Sequence, residues 1–175
     1  MGQFLSIVLI GAFGFLILSI LILQFFPAKW TVSAQYNVRA LTPFVFNKLN
    51  LVEDWTNWHV WMQNSHSQRT SEQEMGLGAR LQWKNPELSG EMTIVQSDPV
   101  SEVQVHFMME PKFELLLVMN LETQADQSTL VNWKLISKSD ALHPLRKLQI
   151  AALKSTFGDQ MQASLERFSQ HVELI

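Results

Sequence analysis

Residues 144–173, PLRKLQIAALKSTFGDQMQASLERFSQHVE, place apolar side chains at Leu145, Leu148, Ala152, Phe157, Met161, Leu165, Phe168 and Val172. Steps of three, four and five residues put these side chains on one side of a helix. The stretch therefore predicts a long amphipathic helix starting at Pro144. Gly158 sits inside it, where a glycine costs about 1 kcal/mol relative to alanine, so the sequence predicts a close approach or a bend at that point. A helix with one apolar stripe needs an apolar surface to cover.

The preceding residues supply that surface. Trp30, Val32, Ala34, Tyr36 and Val38 alternate with polar residues, the period of a half-buried strand. The same alternation puts Met92 with Ile94, then Val103 with Val105 and Phe107. Phe113, Leu115, Leu117, Met119 and Leu121 share one face, as do Val131, Trp133 and Leu135. Gly76 and Gly78 mark a tight turn, Asp98-Pro99 and Glu110-Pro111 punctuate the strands, and QADQS (124–128) reads as a hairpin loop. The pattern is an antiparallel meander with one buried face. Before it, LTPFVFNKLN (41–50) reads as a short helix, with Thr42 as N-cap, Pro43 at the first helical position and Phe44, Val45, Leu49 and Val52 inward. DWTNWHVWMQ (54–63) then sets Trp55, Trp58 and Trp61 three residues apart in otherwise polar sequence.

At the other end of the chain, FLSIVLIGAFGFLILSILILQFF (4–26) contains no charged residue, and every Lys, Arg, Asp and Glu lies at Lys29 or later. As a helix it would extend roughly 34 Å, enough to span a bilayer core with some tilt. No Lys or Arg precedes it, its apolar run exceeds a signal-peptide core, and Phe26-Pro27-Ala28 is a poor cleavage site. The expectation is an uncleaved single-pass anchor over residues 1–28 and one soluble domain over 29–175. Lys29, Arg39 and Lys48 follow the anchor, which favours a cytoplasmic domain.

The domain as a whole resembles the START-like, or SRPBCC, superfamily, and most closely its bacterial polyketide cyclase/dehydrase-type members. The resemblance rests on ALTPFVFNKLNLVEDWTNWHVWM with its tryptophan row, MGLGARLQW leading to Trp83, SGEMTIVQSDP opening at Gly90, TLVNW with Trp133, and the closing helix, where Ser164 stands in place of a common glycine. It implies an α+β helix-grip fold, a curved antiparallel sheet of about seven strands wrapped on a long C-terminal helix. It also implies an apolar cavity between sheet and helix. The lining would come from Trp83, Met92, Phe107, Leu117, Met119 and Trp133 on the sheet, with Phe157 and Met161 on the helix. Such stripes more often form solid core. The indoles of the tryptophan row would plug the end of the core, with Trp61 the candidate for a cavity mouth.

Chemistry is sparse. Without cysteine there are no disulfides, thiol nucleophiles or Cys-based metal sites. His59, His66, His106, His143 and His171 show no metal-ligand spacing, and no metal or cofactor is expected. No GxSxG or phosphate-binding glycine motif occurs. Glu110 and Glu114 read as rim residues, His106 as outward, and the inward strand positions offer no Asp, Glu or His. A net charge of −3 with no basic run argues against nucleic acid. The leading expectation is a binding module for a hydrophobic small molecule (a lipid, quinone or polyketide-like compound), anchored in the bacterial inner membrane. The alternatives are a cyclase/dehydrase-type enzyme and a protein-interaction module with a solid core.

Overall fold

The computed structural model describes residues 11, 13–15, 18, 19, 29–110, 113–137 and 144–173, with side chains in the last helix from residue 153 onward. Among the described residues no helix is long and apolar enough to cross a membrane. Most of the apolar run 4–26 lies outside the described residues. Its described positions are helical, and Phe13, Phe15 and Leu18 are exposed.

Seven strands form one antiparallel sheet: β1 (Thr31–Val38), β2 (His66–Arg69), β3 (Arg80–Lys84), β4 (Ser89–Asp98), β5 (Glu102–Met109), β6 (Phe113–Thr123) and β7 (Thr129–Ser137). Their order is β1-β7-β6-β5-β4-β3-β2, so only β1 departs from a simple meander, by pairing with the last strand. Helix α1 (Thr42–Asn50), a 3-10 turn (Val52–Asp54), α2 (Trp55–Trp58) and a second 3-10 turn (Val60–Met62) follow β1, and α3 (Pro144–Glu173) closes the chain.

The registers align the inward residues in rows. Ile94, Val105, Leu117, Leu135 and Val32 are successive cross-strand partners; so are Val103, Met119, Trp133 and Ala34. These are the faces the alternation predicts, and all but Val32 and Ala34 on the edge strand are buried. At Val95 the β4–β5 register shifts between Ile94 and Gln96. Such a bulge bends the strand and raises its twist, helping the sheet curl.

The helices cover the inner face. From α3, Phe157, Met161, Leu165, Phe168 and Val172 are buried, as their spacing predicts. The side chains of Leu145, Leu148 and Ala152 lie outside the described ones. Gly158 serves a close approach: a Cβ there would lie 3.3 Å from Val32 Cγ1 on β1. The reading of Thr42 as N-cap is corrected. Leu41 holds that position without a side-chain cap, and α1 starts at Thr42. The Thr42 hydroxyl is instead engaged by the sheet, 2.7 Å from the Thr123 hydroxyl and accepting from the Thr129 hydroxyl at 3.1 Å. At the far end of α1, Ser97 on β4 donates to the Asn50 side chain at 2.7 Å. The helix is thereby tied across the sheet at both ends.

Gly90 is fixed by packing. It faces Trp83 across β3 and β4, and an added Cβ would fall 2.6 Å from the Met108 carbonyl oxygen and 2.8 Å from two carbons of the Trp83 ring. The backbone oxygen cannot swing away, so overpacking applies. Gly90→Ala is expected to lower stability by about 2 kcal/mol, read as a lower urea midpoint at unchanged slope.

Candidate functional site

The tryptophan segment enters the space between sheet and α3 from the side. Three-residue spacing over two short helical turns carries Trp55, Trp58 and Trp61 inward, and all three are buried. Trp58 packs on Trp55 (ring centroids 4.5 Å), Trp133 (5.7 Å) and Phe168 (5.0 Å). Trp61 meets Phe107 edge-on at 5.2 Å and Phe157 at 5.5 Å. The segment thus bridges a sheet residue and a helix residue at two places.

Every candidate lining residue is buried. Trp61, Trp83, Phe107 and Phe157 come together around Phe107 and Trp61 through ring contacts of 5.2 to 6.0 Å. Trp133 belongs to a second group with Trp58 and Phe168. Met92, Leu117, Met119 and Met161 fill the same core between and around these rings.

Polar anchors hold the segment in place. Trp61 Nε1 donates to Gln160 Oε1 at 2.8 Å, the Val60 amide to Ser164 Oγ at 3.2 Å, and Asn85 Nδ2 to the Trp61 carbonyl at 3.0 Å. Ser164, which replaces a glycine common in the resembled superfamily, therefore has a structural task. Trp55 Nε1 donates to the Leu49 carbonyl at 2.9 Å. The other four indoles differ. The Nε1 donors of Trp30, Trp58, Trp83 and Trp133 are buried and meet no acceptor among the described residues. An unpaired buried donor costs about 1–3 kcal/mol, so four in one interior is a large unmet demand for acceptor oxygens.

One inward titratable group departs from the expectation of a core without acid or base. His59 is buried among Trp55, Trp61 and Phe107. Its Nδ1 accepts the Trp61 amide at 3.4 Å. Desolvation lowers its pKa from 6.5 to about 3. The group comes from the linking segment, not from a strand, so the strand registers stand. Near neutral pH this imidazole is uncharged and too weak a base to serve acid–base catalysis well. Asp54 is also buried, at the outer side of the segment, where both carboxylate oxygens lie 3.0 and 3.1 Å from His171 Nε2 and Asn57 Nδ2 donates at 3.0 Å. This constellation ties the end of α3 to the tryptophan segment. Outside the core, His106 lies 3.8 Å from Glu114 on the outer face of the sheet, and Glu110 accepts from Ser89 Oγ at 3.2 Å at the rim.

Thr31, Val32, Lys154, Ser155, Gly158 and Asp159 line an open surface cleft of about 530 Å³ between β1 and α3. Trp30 and Phe157, the chain neighbours of Thr31 and Gly158, stack on each other with centroids 5.5 Å apart.

No protein-family model and no curated protein matches this sequence. Solved structures do. SA2116 from Staphylococcus aureus, a protein of unknown function, superposes with a TM-score of 0.64 at 8% identity, over 83% of this chain and 94% of its own. Ara h 8.0201 superposes at 0.57 with 14% identity, over 84% and 99%. DynU16, from the dynemicin biosynthetic locus, superposes at 0.59 with 11% identity, over 82% of this chain but 47% of DynU16, so the chain spans about half that protein's length. At these identities the likeness is one of fold: a helix-grip arrangement of seven antiparallel strands and a long C-terminal helix.

Proposed function

We propose that the chain is a membrane-tethered module that holds an apolar, oxygen-bearing small molecule between the sheet and α3. The observation that carries this reading is the set of four buried indole donors without acceptors among the described residues. A ligand with carbonyl, ester or ether oxygens and no charge would complete them, while its apolar body would replace ring contacts at about 25 cal/mol per Å². Quinones, lipid esters and polyketide ketones fit that chemistry. Met92, Met119 and Met161 add side chains that adapt to more than one ligand shape. The tether is the apolar run 4–26, supported by its length and lack of charge and by the exposure of Phe13, Phe15 and Leu18. Lys29, Arg39 and Lys48, which follow it, favour an orientation with the domain on the cytoplasmic side.

A short-chain benzoquinone, which quenches indole fluorescence on contact, tests the reading. Quenching of the detergent-extracted protein is expected to saturate. Trp133→Phe removes one donor while keeping a ring, and is expected to weaken binding roughly 5–10-fold, the worth of one hydrogen bond. Quenching that rises linearly without saturation, and equally in the variant, would overturn it.

A second reading, a protein-interaction module with a solid interior, is favoured by the ring contacts of 4.5 to 5.7 Å around Trp58, which leave little room at that end. It predicts a co-purifying protein that is lost on changing exposed strand residues, and no bound small molecule by native mass spectrometry. An enzyme of the cyclase/dehydrase type is the least supported, because His59 is held neutral and apart from any carboxylate.

A further inference from the structure

We infer that the interior selects its ligand by the sense of its hydrogen bonds, holding a carbonyl compound and refusing the alcohol of the same skeleton; this deepens, and rests on, the binding function proposed above.

The buried polar groups are one-sided. Of the six indoles, two have their acceptors built in: Trp55 Nε1 donates to the Leu49 carbonyl and Trp61 Nε1 to Gln160 Oε1. Trp30, Trp58, Trp83 and Trp133 meet none among the described residues. His59 adds a donor of the same kind. Its Nδ1 accepts the Trp61 amide, so the neutral ring carries its hydrogen on Nε2. The opposite deficit does not occur: among the described residues no buried side-chain oxygen is left without a partner. The Thr42 hydroxyl is shared with Thr123 and Thr129, and Asn50 Oδ1 accepts from Ser97. Ser164 Oγ donates to the Gln160 carbonyl and accepts from the Val60 amide. The strand carbonyls lie in the plane of the sheet, in the ladders that run from β1 to β2 across it. The thioethers of Met92, Met119 and Met161 are weak acceptors only.

This asymmetry sorts ligands by chemistry. A ketone or ester oxygen only accepts, so each free N–H that it meets is satisfied and nothing new is left unpaired. A hydroxyl oxygen accepts as well, but it brings a hydrogen that was bonded to water outside and finds no free oxygen inside. That loss falls on the alcohol alone. Charged ligands fare worse. Among the described residues no Lys or Arg is buried to pair with a carboxylate. The buried carboxylate of Asp54 is already engaged by His171 and Asn57, which leaves nothing for an ammonium group.

Competition against quenching by a short-chain benzoquinone tests the selectivity on detergent-extracted, full-length protein. Methyl nonyl ketone and methyl nonyl carbinol share a skeleton and differ only in carbonyl against hydroxyl; each is corrected for its partition into empty micelles. The ketone is expected to displace the quinone at a roughly ten-fold lower concentration, the worth of one hydroxyl hydrogen bond left unmade. Equal displacement, a preference for the carbinol, or no displacement by the ketone overturns the selectivity and leaves the binding function standing. Quinone quenching that never saturates overturns the binding function, and the selectivity with it. A second measurement isolates the cause. Met119 lies opposite Trp133 in the β6–β7 register, and both are buried. Met119→Gln brings an amide oxygen to that place at similar side-chain length, whereas Met119→Leu brings none. The glutamine variant is expected to lose most of the ketone preference and the leucine variant to keep it; a preference undiminished in the glutamine variant overturns the absence of acceptors as its source. The comparison of the two ligands on the parent protein stands if the glutamine variant does not fold.

Discussion

Trp58→Ala is expected to destabilise the domain by about 4 kcal/mol, within the range for removing a large aromatic from a core. Trp58 is fully buried and touches rings from three directions: Trp55 beside it, Trp133 on the sheet and Phe168 on α3. Truncation would leave a hole at the junction of sheet, segment and helix, and none of those elements can move in without giving up its own contacts. The expected loss is one of packing, because Trp58 Nε1 meets no acceptor among the described residues. Trp58→Phe should therefore cost much less, roughly 1 kcal/mol, since it keeps most of the ring and deletes an unpaired donor. Urea unfolding of the two variants side by side is the measurement. Equal losses would show that the indole N–H, not the ring, carries the effect.

The second large effect is one of pH. His59 titrates near 3 in the folded protein against 6.5 as a free side chain, because burial disfavours the charged imidazolium. Above pH 6.5 both folded and unfolded chains hold it neutral, and it leaves stability independent of pH. Below 6.5 the unfolded chain gains a proton that the folded one refuses. Stability then falls by about 1.4 kcal/mol per pH unit until the folded pKa is reached, for a total of roughly 4–5 kcal/mol. His59→Asn keeps an acceptor for the Trp61 amide and cannot titrate. Subtracting its stability-versus-pH curve from that of the parent should leave a slope of this sign between pH 6.5 and 4.5, a window above the range in which carboxylates protonate. A flat difference would place His59 in contact with water.

Strands β4 to β7 were legible in the sequence because they keep a period of two; β1 keeps it at Val32, Ala34 and Val38 but leaves Tyr36 exposed, against the expectation, and the polar β2 shows no such period. Phe107, Leu117, Met119 and Trp133 face inward as their alternation requires, and the neighbours that bury them are other strands of the same kind. The covering helix was legible for a similar reason: the spacing from Phe157 to Val172 is that of one stripe, and Gly158 marked its nearest approach to the sheet. His59 was not. A single helical period through residues 55–62 puts it off the tryptophan side, but the chain turns extended at His59 (φ −76°, ψ 124°) between two separate helical turns, and this swings the ring inward. Thr42 misled for another reason: it has the chemistry of a cap, and the sheet claims its hydroxyl first. The four acceptorless indoles had no local signal at all, since whether a donor is satisfied depends on what the rest of the fold brings near it.

The pairing of β1 with β7 sets the timing of assembly on the ribosome. β1 is the first strand to be made and has a single partner in the sheet, whose first paired residue, Thr129, follows Val38 by about 90 residues. At a synthesis rate of about 5–20 residues per second, that is roughly 5–20 s during which β1 stays without its partner. The β2–β7 meander can zip from neighbour to neighbour in the meantime. The strand adjoining the apolar run is then added last, so the closing step of folding waits until nearly the whole chain has been made.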